Sequence, residues 1–370
     1  MGVKNEQSNG HSQAMDDTEQ EALLDSERQE DDEASTAVRY SVSSYGADYP
    51  VDGLVKRLRQ GDIMIPEFQR GYVWSWSQAS RFVESLLVGL PVPGVFLSRE
   101  PGSQKLLVID GQQRLSTLQF FYDGILEGKE FKLRGVTEDF EGITYKTLQD
   151  EDRRRLDDSI VHATILRQDD PENDSTSIYL VFERLNSGGT PLSPQEIRSC
   201  VYQGEFCDLI GNLNDNSAWR ELYGRKSKRA RDEELILRFF ALLYDLDSYK
   251  MPMKVFLSDF MAKNQHLKRF DEEELTRVFH QTVTLVAEKL GPGSLRPERG
   301  LNVAVTDAVL VATALRLRQG DLQNTAEYAT HLTGLLESSA FLDKCAGGTT
   351  HEDNVRGRIA LASGAIKSII

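Results

Sequence analysis

Apolar positions along this chain change period several times, and each change predicts an element. Val51, Leu54, Val55 and Leu58 fall at helical spacing and are closed by Gly61. Residues 63–65 are strand-like, after which Pro66 forces an extended or turning path. Ala79, Phe82, Val83, Leu86, Leu87 and Leu90 follow the i, i+3, i+4, i+7 rule, with Ser75 and Gln78 at capping-box spacing and Gly89 and Pro91 as the stop. Val95, Phe96 and Leu97 read as a strand, hairpinned through Pro101-Gly102 to Leu106-Leu107-Val108-Ile109. Four consecutive apolar residues mark the latter as a buried strand, and Asp110-Gly111 breaks it. Leu115, Leu118 and Tyr122 then resume helical spacing from about Gln112. Short helices are expected at residues 145–148 and 152–156, and Val161, Ala163 and Ile165 alternate with His162 and Thr164 as in a strand. A lone histidine in such a strand reads as structural. Ile178, Val181, Phe182 and Leu185 share a helix face that ends in Asn186-Ser187-Gly188-Gly189. Ser193-Pro194-Gln195-Glu196 opens the next helix with an N-cap Ser, Pro at the first position and Glu at the capping-box position. From residue 200 onward the pattern is helical: residues 235–244, then Leu275, Val278, Phe279, Val286 and Leu290. The sum is an α+β domain followed by a mostly helical region.

Charge changes the picture at the N-terminus. Residues 1–36 hold 11 Asp and Glu against Lys4 and Arg28, and few residues that could build a core. Such a segment is expected to be a disordered acidic tail. The whole chain carries −15, so the remainder is mildly acidic and is not a basic nucleic-acid binder as a whole; any nucleic-acid contact has to be local. Cys200, Cys207 and Cys345 show neither metal-type clustering nor an even disulfide framework, which suits a reducing compartment. No apolar run reaches transmembrane length and the first 30 residues lack a signal-peptide core, so a cytoplasmic protein is expected. The expected divisions are a tail over 1–40, an α/β domain over 41–190 and a helical domain over 191–370.

Candidate chemistry concentrates where the strand at residues 106–109 hands over to a helix. Asp110, Gln112, Gln113 and Arg114 cluster there, beside unpaired N–H groups and the positive end of a helix dipole. Arg114 adds a permanent cation that can fork onto a phosphate. On spacing alone an ordinary polar corner is an equal reading. Gln69, Arg70, Tyr72 and Trp74 bring polar, cationic and aromatic groups into one irregular stretch, either a ligand wall or a loop whose aromatics cap the core. Arg184, Asn186, Ser187, Thr190 and Arg198 exceed what two helix caps need. The run Arg220, Arg225, Lys226, Lys228, Arg229, Arg231 is the strongest local candidate for backbone phosphate contact, with a solvated connecting loop as the alternative.

Three segments, Ile65-Pro66-Glu67-Phe68-Gln69-Arg70-Gly71-Tyr72-Val73-Trp74, Ile109-Asp110-Gly111-Gln112-Gln113-Arg114 and Phe182-Glu183-Arg184-Leu185-Asn186-Ser187-Gly188-Gly189-Thr190-Pro191-Leu192, occur in this order. Together they resemble the GmrSD-type restriction endonuclease N-terminal domain family, of the ParB/sulfiredoxin-like superfamily, over roughly residues 45–245. The resemblance implies prokaryotic defence against phage or modified DNA, with nucleotide binding or hydrolysis regulating DNA cleavage. It also implies a site in which Asp110, Gln112, Gln113 and Arg114 act on a nucleoside triphosphate. Gln69, Arg70, Gly111, Ser116, Thr117, Arg184, Asn186, Ser187, Gly188 and Gly189 would bind that nucleotide, and Asp110 would hold a divalent ion such as magnesium. Tyr72 and Trp74 fall in the motif linked to sensing DNA modification, with Arg225, Lys226, Lys228 and Arg229 as candidate phosphate contacts. Many relatives carry a His-Asn-His-type nuclease domain after this one. Here His266, His280, His331 and His351 lie in no recognisable metal arrangement, so the nuclease is expected in a partner chain. Two other readings stand beside a regulated NTPase: a nucleotide-switched DNA-binding module without turnover, and a metal-dependent nuclease built on Asp110.

Overall fold

The computed structural model describes residues 41–65, 72–99, 103, 105–170, 179, 181, 183, 184, 192–297 and 300–369. The acidic tail lies outside the described residues, as do Gln69, Arg70 and residues 186–189. The chain divides into two compact units between residues 192 and 193, each with its own hydrophobic core.

The first unit is α+β. Its elements are β1 (Ser41–Pro50), α1 (Val51–Gln60), β2 (Ile63–Met64), α2 (Trp76–Leu87), β3 (Val95–Arg99), β4 (Leu106–Asp110), α3 (Gln112–Asp123), a small hairpin of β5 (Ile125–Leu126) and β6 (Lys129–Glu130), α4 (Asp150–Asp158) and β7 (Ile160–Asp170). The caps follow the local sequence. Gly61 ends α1 in the left-handed region, and Ser75 and Gln78 form a reciprocal capping box at the start of α2.

Five strands form one mixed sheet in the order β1-β7-β3-β4-β2. β1 and β3 each pair antiparallel to one neighbour (β7 and β4), while β3–β7 and β4–β2 are parallel. Alternation along β7 is as the sequence predicts: Val161, Ala163 and Ile165 are buried, and His162 is exposed. All four apolar residues of β4 are buried, so this strand is covered on both faces, which is why its sequence reads as an unbroken apolar run. Val95, Leu97 and Val108 share a core with Leu54 and Val55 of α1, Phe82, Val83 and Leu86 of α2, and Leu115, Leu118 and Phe121 of α3.

The register decides what sits beside Asp110. Phe96 opposes Asp110 across β3–β4, Val95 opposes Ala163, and Pro50 opposes Ile160. One end of the sheet therefore collects the end of β4, the starts of β3 and β7, and the end of β1.

The second unit is helical: α5 (Pro194–Val201), α6 (Glu205–Leu213), α7 (Ser217–Tyr223), α8 (Arg231–Asp245), α9 (Met253–Asn264), α10 (Glu272–Lys289), α11 (Val303–Leu317), α12 (Thr325–Leu336), α13 (Ser339–Ala346) and α14 (Glu352–Ile366). Helix α11 is buried along nearly its whole length and forms the centre of this unit. Its Asp307 is clasped by Arg238 of α8 and Arg358 of α14, all three fully buried. Among the described residues no helix is long and apolar enough to cross a membrane.

Candidate functional site

Strand β4 runs its last residue, Asp110, out of the core, and the chain turns into α3 through Gly111. Gly111 has φ of 100°, a conformation L side chains resist, and a Cβ there would lie 2.5 Å from Val95 Cγ1. The turn is thus pressed against the neighbouring strand, as only glycine permits. Glycine also leaves α3 without a side-chain N-cap, so first-turn N–H groups emerge at the end of the sheet beside Asp110. One helical turn on, Arg114 Nη2 donates to Asp110 Oδ2 at 2.6 Å. The Arg114 side chain is 13% exposed and the Asp110 side chain 41%. The cation is thereby mostly desolvated while the carboxylate remains open to solvent.

Gln113 faces a different task. Its Oε1 accepts from the backbone N–H of Val73 at 2.9 Å and of Trp74 at 3.2 Å. Beside it, Thr117 Oγ1 donates to the carbonyl of Gln113 and lies 2.7 Å from Tyr72 Oη. Because the single Thr117 hydroxyl proton goes to Gln113, Tyr72 must be the donor in its contact with Thr117. Burial pushes the Tyr72 hydroxyl above its ordinary value, which keeps that proton in place. Tyr72 also packs edge-on against Phe120, and Trp74 against Phe82. Residues 72–74 are accordingly pinned to the outer side of α3 and α2.

The site residues expected from sequence separate into groups. Asp110, Gly111, Gln112, Gln113 and Arg114 share one turn, and Tyr72 and Trp74 join them through Gln113 and Thr117. Thr117 is fully buried beneath Tyr72, and Ser116 is nearly buried. Arg184 is helical and exposed. Arg198, read as part of a polar surplus, is instead fully buried in the helical unit, donating to Ser258, Gln195, Glu234 and the Lys254 carbonyl. The basic run is partly neutralised from within. Arg220 pairs with the buried Asp232 and Arg229 with the buried Glu196, while Arg225, Lys226 and Lys228 are exposed, Lys226 in a surface pair with Asp215. Arg229 therefore ties the loop before α8 to α5.

Sequence reading missed the clamp by Gln113, since its partners lie 40 and 39 residues away and leave no periodic trace. It also passed over the pair of His162 Nδ1 and Asp48 Oδ1, 2.8 Å apart and exposed at the same end of the sheet. Among the described residues no group of three or more His, Cys, Asp or Glu side chains could by itself hold a metal ion. Asp110 offers one open carboxylate. That suits an ion arriving with phosphate and water ligands of its own, and not a resident metal caged by protein.

Residues 51–203 match the family model described as GmrSD restriction endonuclease, N-terminal domain. An uncharacterized protein of Methanocaldococcus jannaschii is 28% identical over 111 residues, a match covering 24% of this chain and 18% of that protein's own length.

Proposed function

We propose, from the match of residues 51–203 to the GmrSD restriction endonuclease N-terminal domain model, that this chain is the nucleotide-handling component of a prokaryotic restriction system directed against phage DNA. It acts in the cytoplasm. It binds a nucleoside triphosphate at the turn between β4 and α3 and uses binding and hydrolysis to regulate recognition or cleavage of DNA, often modified DNA. The cut itself is made by a separate nuclease chain. The observation that carries the reading is the desolvated Arg114 guanidinium beside an uncapped helix start and an open Asp110 carboxylate, all fixed by Gly111.

The chain's own groups divide the work by chemistry. First-turn N–H groups of α3 and Arg114 hold the phosphate oxygens, the cation gaining strength from its low exposure. Asp110 would hold a divalent ion such as magnesium, which would supply neutralisation of charge on the phosphates. Gln112 is the residue of the turn that orients the attacking water. Gln69, Arg70 and residues 186–189, which lie outside the described residues, are carried over by motif alone as nucleotide-binding residues. Tyr72 and Trp74 sense the DNA modification; in the helical unit, separately, Arg225, Lys226, Lys228 and Arg229 are the candidate contacts to DNA phosphates.

The test is nucleotide binding and hydrolysis by the purified chain beside Arg114→Ala. Removing Arg114 leaves behind only the Asp110 carboxylate, whose side chain is 41% exposed and solvated by water, so the variant is expected to fold. Removing a charge-stabilising donor should lower turnover by about a hundredfold or more. Unchanged turnover and affinity in the folded variant would sink the assignment. A second reading, a switch that binds without hydrolysing, is favoured by one observation: the side-chain oxygen of Gln113 is already occupied by two N–H groups. Tight binding without turnover would select it.

A further inference from the structure

We infer that Gln113 is a positioning residue and not a chemical one: it clamps the backbone of residues 73 and 74 to the first turn of α3, setting the segment that ends at Trp74 against the phosphate-facing turn. This deepens the nucleotide reading above and rests on it for its kinetic arm, while its structural arm stands alone.

The argument is one of valence. An amide oxygen has two lone pairs, and Oε1 of Gln113 accepts from both Val73 N and Trp74 N. An orienting group for an attacking water has to accept from that water, and this oxygen has no capacity left. The clamp is doubled one turn later, where Thr117 ties the Gln113 carbonyl to the Tyr72 hydroxyl. Side chain and carbonyl of a single residue thus engage three successive residues, Tyr72, Val73 and Trp74. At the other side of the same segment, β2 is paired in parallel with β4 through Ile63–Leu106 and Met64–Leu107.

The experiment compares Gln113→Glu and Gln113→Ala in the full chain. A carboxylate keeps the acceptor and loses only the amide donor, so Gln113→Glu should preserve hydrogen-exchange protection at Val73 and Trp74 to within about twofold of wild type. Gln113→Ala should lose roughly five- to tenfold of it, the worth of one ordinary hydrogen bond. In turnover, Gln113→Glu should raise KM, because a charge is added near the phosphates, and leave kcat close to wild type, whereas Gln113→Ala should lower kcat. Tyr72→Phe, which removes only the contact with Thr117, should raise exchange at the same two amides and serves if the alanine variant does not fold. Wild-type protection in Gln113→Ala would overturn the clamp. A kcat lost in Gln113→Glu with protection intact would overturn the positioning role and return the amide to the chemistry. Should the wild-type chain neither bind nor hydrolyse nucleotide, the functional reading fails, and the exchange measurement still decides the clamp.

Discussion

At Gly111 a backbone requirement and a packing requirement coincide. The φ of 100° costs any L residue, and the space a side chain would need is already filled by Val95. Gly111→Ala should destabilise the sheet-bearing unit by about 2–4 kcal/mol, combining the left-handed strain with overpacking against β3. A shift of the denaturant midpoint at unchanged slope would show it. A loss under 0.5 kcal/mol would mean the turn relaxes away from β3, and Asp110 with it. Asp110 and Arg114 were legible in the sequence because they sit four apart where an apolar run meets a helical one. Gln113 looked chemically equivalent to Gln112 there. Only the fold, by bringing residues 73 and 74 across α3, separates a clamp from a ligand group.

Among elements, the start of α8 shows how far charge patterning carries. Read as sequence, residues 220–231 are a cationic run. In the fold, Arg220 Nη1 and the N–H of Ser227 both donate to Asp232, the first acidic residue of the helix, which is fully buried. Next to it, burial above all, and then the Asp232 charge, push the Glu233 carboxyl up to about 7, with Lys226, Asn214 and Arg220 opposing. The unfolded chain releases this proton near 4.5, the ordinary value, so between about 4.5 and 7 the native state binds the extra proton. Stability therefore falls as pH rises through that window and levels off above it. Glu233→Gln should remove the slope and, at pH 8, exceed wild type by something on the order of 1–3 kcal/mol. Urea unfolding at pH 5 and pH 8 measures it, and equal pH slopes in both proteins would refute the burial argument. Helix caps such as Ser75 and Ser193, being local, were readable from spacing. The strand order β1-β7-β3-β4-β2 was not, because register is set by which apolar faces share a core and β7 enters the sheet more than fifty residues after β4.

For the molecule as a whole, two separate cores imply that no single two-state free energy describes unfolding, so stability is best followed element by element. In the helical unit the decisive group is Asp307. The helical pattern read from residue 200 onward gave no sign that the one carboxylate of α11 gathers two arginines from α8 and α14, since neither neighbours it in sequence. Arg238 meets it through Nε and Nη2, at 3.1 and 2.7 Å, and Arg358 through Nη2 at 3.1 Å. Replacing such a group with hydrocarbon of the right shape throughout can be harmless, but removing the anion alone strands two desolvated cations. Asp307→Asn keeps the volume and removes the charge, so any loss is electrostatic. It should cost about 3–5 kcal/mol, read as accelerated amide exchange in α8, α11 and α14 together. Restoring compatibility by adding Arg358→Met to Asp307→Asn, which removes one of the two stranded cations, should recover part of that loss. A double variant no more stable than the single one would mean that α14 is held by its apolar packing alone, with the ion cluster an incidental occupant of the core.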